Sequence, residues 1–123
     1  MKMWELAKRI LASANAGQSF MPSLVGGNFH RELEASGDDG LPPVEDVHRW
    51  ADLLAANMKV AGLIESAPRK PGRLAMLDVM QRTRFGDELY EALQRRDMVS
   101  AFTAMQITID AGAIRRALHQ LNS

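Results

Sequence analysis

Two small groups in the chain carry residue types that could do chemistry. His30, Glu32 and Glu34 fall within five positions, and His48 and Asp52 stand one helical turn apart, so each group could offer ligands to a divalent cation. A usable site needs three or four converging donors, and the chain has three His and no Cys from which to draw them. The second group therefore reads as a routine exposed helix pair, and neither as a metal centre. The serines lack the strand-turn-helix setting of a nucleophile elbow, and Gly26-Gly27 is too little glycine to cradle a phosphate. Asp38 and Asp39 lie in the run Ser36-Gly37-Asp38-Asp39-Gly40, where nothing would desolvate a carboxylate and tune it for acid-base work. The residues predict a non-enzymatic protein with no metal and no cofactor.

Composition narrows the class further. A chain of 123 residues is one domain's worth, with hydrophobic residues at 46% and charged residues at 24%. Eight Met beside only seven aromatics predict an aliphatic core filled by adaptable side chains. The absence of Cys removes disulfides and thiolate chemistry, which fits a reducing compartment, and the expected location is the cytoplasm. The first residues contain no uninterrupted apolar run, so neither a signal peptide nor a membrane span is expected.

Basic and acidic residues balance at 15 each, but they are unevenly placed. From Glu32 to Asp46 the chain carries Glu32, Glu34, Asp38, Asp39, Glu45 and Asp46 with no Lys or Arg, a net −6. From Arg69 to Arg84 five basic residues stand against Asp78, a net +4.

The elements that would position these charges follow from periodicity. Met3, Leu6, Ala7, Ile10, Leu11 and Ala14 recur at helical steps, predicting an amphipathic helix over 2–15 with Trp4 at the edge of its stripe. Phe20, Met21 and Leu24 around Pro22 suggest a short buried connection or a single helical turn. Gly26-Gly27 should break the chain before a short helix over 28–35 capped by Asn28. After Pro42-Pro43 a long helix is expected over 44–61, with Val47, Trp50, Ala51, Leu54, Met58 and Ala61 on its packed face. Gly62 supplies the left-handed cap, and Leu63-Ile64 can fold back against it. Trp50 and Phe85 read as core.

The prolines and glycine of Pro68-Arg69-Lys70-Pro71-Gly72 predict a tight basic turn. Leu74 to Met80 reads as a returning strand or as more helix, and Thr83 as the N-cap of a helix over 84–96. Val99, Phe102, Met105 and Ile109, then Ile114, Ala117, Leu118 and Leu121, form a helical tail that Gly112 should kink or divide.

The order of long helix, AGLIE, basic turn, return strand and TRFGDELYEAL resembles the winged-helix DNA-binding domains of the MarR and PadR types, over roughly residues 44–93. The resemblance implies a mainly α, winged-helix-like domain with a short β-hairpin wing and a C-terminal helix. The helix over 44–61 would enter the major groove and the basic turn would form the wing. One difference stands out: the acidic, glycine-rich segment and two prolines separate the second helix from the third, where the family has a short turn.

The chain reads as a single unit, with a winged-helix-like core over 1–97 and a helical tail over 98–123 that either packs back on that core or exchanges with a partner chain, the seam of a dimer then being Phe102, Met105, Ile109, Ile114 and Leu118. On the resemblance, the chain would regulate by occupying duplex DNA. Arg69, Lys70 and Arg73 would contact phosphates, and Arg49, Asn57 and Lys59 would face the groove. Net neutrality and the acidic segment support a second reading. In it the chain is a protein-binding inhibitor or adaptor of the kind phages and mobile elements carry, for example an anti-CRISPR protein, which blocks a partner's surface through Glu32, Glu34, Asp38, Asp39, Glu45 and Asp46.

Overall fold

The computed structural model describes residues 3–14, 21–37, 40–66, 80–95 and 97–122, apart from the side chains of Ser23 and Asn122. These residues form a mainly α domain with one two-stranded antiparallel hairpin. No helix among them is long and apolar enough to cross a membrane.

Helix α1 (Met3–Ser13) buries the predicted stripe of Leu6, Ala7, Ile10 and Leu11. Trp4 lies inside that stripe rather than at its edge. Its indole Nε1 donates to the Ile107 carbonyl at 3.0 Å, and its ring meets Phe102 edge-on at 4.8 Å between centroids. The carboxyl end of α1 would leave carbonyls unpaired. Arg82 answers two of them: its Nη1 donates to the Leu11 carbonyl at 2.6 Å and its backbone N–H to the Ala14 carbonyl at 3.0 Å.

Helix α2 (Pro22–Ala35) is longer than the expected 28–35, and Gly26-Gly27 lies within it. Pro22 occupies the first turn, where its missing N–H is no loss. The glycines are there for proximity. A Cβ on Gly26 would stand 2.9 Å from the Ala51 Cβ and 3.0 Å from the Val47 carbonyl oxygen. Their small size lets α2 lie directly against helix α3 (Val44–Val60). Asn28 is consequently mid-helix, accepting from Arg31 Nη2 at 2.8 Å, and caps nothing. Met21 and Leu24, expected in a buried connection, are exposed. Contacts between α2 and α3 run in opposite directions: Pro22 is near Lys59, Gly26 near Val47 and Ala51, and His30 bonds the Pro42 carbonyl. The two helices form an antiparallel hairpin, whereas the helices of a helix-turn-helix cross at about 90–120°.

Helix α3 buries Val47, Ala51, Leu54, Ala55 and Met58, so its packed face is centred away from Trp50. It ends as expected. Gly62 has φ +79°, its N–H bonds the Lys59 carbonyl at 3.1 Å, and the Leu63 N–H reaches back to the Met58 carbonyl at 2.9 Å. Leu63 is buried as the cap predicts, but Ile64 goes on into a strand.

Strand β1 (Ile64–Ser66) pairs antiparallel with β2 (Met80–Arg82), with Ile64 opposite Arg82 and Ser66 opposite Met80. Of the stretch read as strand or helix, Met80 lies in β2, and 74–79 lie outside the described residues.

Thr83 caps helix α4 (Arg84–Gln94) and also ties it to α3. Its Oγ1 accepts from the Gly86 N–H at 3.0 Å and donates to the Gly62 carbonyl at 2.5 Å, so one hydroxyl joins the end of α3 to the start of α4. Thr83→Val keeps the shape and removes both bonds. The expected loss is about 1–2 kcal/mol of unfolding free energy in denaturant titration, from a lost cap and a carbonyl left without its donor.

The tail consists of two helices, α5 (Met98–Ala104) and α6 (Ala111–Asn122). The division falls over 105–110, where Gln106 adopts φ +54°, and Gly112 sits in the first turn of α6. Phe102 and Ile114 are wholly buried in the hydrophobic core. They are unavailable as a dimer seam, and 98–122 is not a separable appendage. Arg115 covers the buried Phe85 ring at 4.1 Å, which confirms Phe85 as core.

Candidate interaction surface

Of the side chains expected to touch DNA, the three that the structure describes do not converge. Asn57 and Lys59, two positions apart on α3, are separated by about 200° around its axis and so leave on opposite sides. Arg49 is exposed but forms an ion pair with Asp46 one turn earlier. Arg69, Lys70 and Arg73 lie outside the described residues. Arg82, counted in the basic segment, is engaged internally: besides the α1 carbonyls it pairs with Asp87 at 2.8 Å and stacks over Tyr90 at 4.4 Å.

The described acidic residues are likewise engaged separately. Glu32 pairs with Arg9, which also lies over the Phe29 ring at 5.1 Å. Glu34 stands 3.6 Å from His30 Nδ1, Asp46 holds Arg49, and Glu45 is exposed at the start of α3. Asp38 and Asp39 lie outside the described residues. His30 itself is buried, bonded through Nε2 to the Pro42 carbonyl at 2.9 Å, where it fastens the α2–α3 connection. Among the described residues no three His, Cys, Asp or Glu are placed to hold a metal ion.

The outer face of α3 carries something else. Trp50 is 39% exposed, Leu53 61% and Val60 89%. Leu53, Ala56 and Val60 follow one another at steps of three and four, so they form a second stripe on the side of α3 opposite its core face. Beside it, Met3 and Leu6 of α1 join Trp50, Leu53, Leu54 and Asn57 in a mostly apolar groove of about 340 Å3. A scan of protein-family models and searches of curated proteins and solved structures find no match to this chain. The surface must be judged on its own chemistry.

That chemistry suits burial against another macromolecule. Leu53 and Val60, with Ala56 between them and Trp50 alongside, are exposed on a helix already anchored by its other face, and apolar patches left to solvent mark contact sites. The periodicity of Leu53, Ala56 and Val60 is visible in the sequence. It was hidden because α3 has a stronger stripe through Val47, Ala51, Leu54 and Met58, and one packed face satisfies the usual reading of an amphipathic helix.

A second cleft, of about 540 Å3, opens between α1, α4 and α5. Its walls mix Lys8, Arg9 and Arg95 with Glu5, Asp97, Tyr90 and Ser100.

Proposed function

We propose that this protein acts without catalysis, in the cytoplasm, by docking the outer face of α3 onto a protein surface, as a small inhibitor or adaptor does. The observation that supports the reading is the exposure of Leu53 and Val60 on one face with Trp50 beside them. Burying a Leu or Val side chain contributes about 1.5–3 kcal/mol, and these residues make that contribution only when a partner covers them. The dispersed acidic residues play at most a bordering part. A photoactivatable cross-linker at Ala56, which is exposed within the stripe, tests the face directly in cells that naturally make the chain. A discrete cross-linked product that disappears when Leu53→Asp is added is expected. Absence of any product sinks the docking reading.

A second reading, occupancy of duplex DNA by a winged-helix regulator, is favoured by one observation: a β-hairpin follows α3 directly, and Arg69, Lys70 and Arg73 fall in sequence between its strands. Each phosphate neutralised contributes about 0.9 to the slope of log affinity against log salt. On this reading, replacing all three by Ala flattens that slope by up to about 3 and leaves thermal stability unchanged. No duplex binding by the unmodified protein at about 50 mM salt, where the electrostatic attraction is strong, removes the DNA reading.

A further inference from the structure

We infer that the protein covering the outer face of α3 is a second copy of this chain, laid antiparallel across Ala56. The inference rests on the docking reading of this face and sets a second copy in place of a foreign protein, so that any inhibitor or adaptor action is exerted by the dimer through its other surfaces.

The charges that border the stripe carry the argument. Asp52 and Lys59 are both exposed and stand seven residues apart, two helical turns, so they lie about 10 Å apart along the axis and within about 20° of one another around it. Both therefore flank the same edge of the Leu53-Ala56-Val60 stripe. They are too far apart to pair with each other, and among the described residues neither has an ion-pair partner.

In an antiparallel pair of identical helices, residues on the same edge meet. A two-fold axis beside Ala56 sets Asp52 against Lys59 of the copy, and Lys59 against Asp52 of the copy. The same register lays Leu53 against Val60 of the copy, twice, and puts the smallest residue of the stripe at the crossing, where helix axes approach to about 8–10 Å. Arg49 then falls level with the carbonyl end of the copy's α3, where a cation is favoured. A parallel pairing sets opposite edges together and leaves both charges unanswered. The pattern is complementary to itself, as an isologous contact requires. A foreign partner would have no reason to need both signs at this spacing.

A seam of one short helix pair falls below the roughly 800 Å2 per partner of a standard interface, and a dimer that dissociates at about micromolar concentration is expected. Sedimentation velocity of the full chain from about 1 to 500 µM tests it. The native chain is expected to shift from monomer to dimer across that range. Asp52→Lys or Lys59→Asp alone places like charges together twice and weakens the dimer by on the order of tenfold. The chain carrying both substitutions restores opposite pairs and recovers the native dissociation constant, a rescue that a change in folding or net solubility would not give. A native chain that stays monomeric throughout overturns the inference, as does a dimer indifferent to all three variants. If the chain is monomeric but Ala56 still cross-links a different protein, the second copy is excluded and the docking face stands. If neither occurs, both readings fall together.

Discussion

A chain ending at Asp97 loses its cooperative thermal transition. Removing 98–123 takes Met98, Phe102, Ile114 and Ala117 out of the core and leaves Trp4 without its aromatic partner and its carbonyl acceptor. Truncating a buried Phe costs about 3–5 kcal/mol and a buried Ile about 2–5. Losing both together reaches the 5–15 kcal/mol by which a domain of this size is stable at all. The expected product is a collapsed chain with reduced helical circular dichroism, no sharp melt and a Trp4 emission maximum shifted toward that of a solvated indole. If the shortened chain melts cooperatively within a few degrees of the native one, the tail is an appendage after all and the α1–α5 contact is dispensable.

Gly86→Ala is expected to be the most damaging single methyl in the chain. Gly86 is in the first turn of α4, and a Cβ there would overlap the Leu63 carbonyl oxygen, with the Leu63 carbonyl carbon only 3.0 Å away. A flexible side chain could move aside, but this neighbour is backbone. It is held by the cap of α3 on one side and by the bond from the Thr83 N–H to its oxygen, at 3.1 Å, on the other. In an ordinary helix the same change gains about 1 kcal/mol. Here α4 must slide off the α3–β1 junction, so a net loss of about 3 kcal/mol is expected, read as a shift in denaturant midpoint at unchanged slope. A gain in stability would show that the close approach is not required.

Local signals in the sequence were the reliable ones. The cap at Gly62, the N-cap at Thr83, the start of α3 after two prolines and the core face through Val47 and Met58 each depend on a few adjacent residues, and each formed as read. What went astray was decided at longer range. Gly26-Gly27 looks like a break until α3 is packed against it and the need for small residues appears. Trp4 looks marginal until Ile107 supplies its acceptor. Phe102 and Ile114 resemble a free seam because spacing alone cannot tell a face buried on the chain's own core from one awaiting a partner. The same ambiguity concealed the candidate site. Leu53 and Val60 have the residue types of core, and only the position of α1 and α2 leaves them outside.

The Trp4 bond to the Ile107 carbonyl has a consequence for how the molecule is made. Its two ends are 103 residues apart in the chain. At synthesis rates of about 5–20 residues per second, Trp4 is polymerised roughly 5–20 seconds before its acceptor. Throughout that interval the apolar side of α1 lacks the part of its cover that α5 supplies, and the Gly26-mediated α2–α3 hairpin, whose contacts span far fewer residues than this bond, is able to form first. Closing the long loop adds little entropy beyond that of a shorter one, so the delay is one of waiting rather than of barrier height. The Trp4 side of α1 is therefore completed last, once the chain has been made through Ile107.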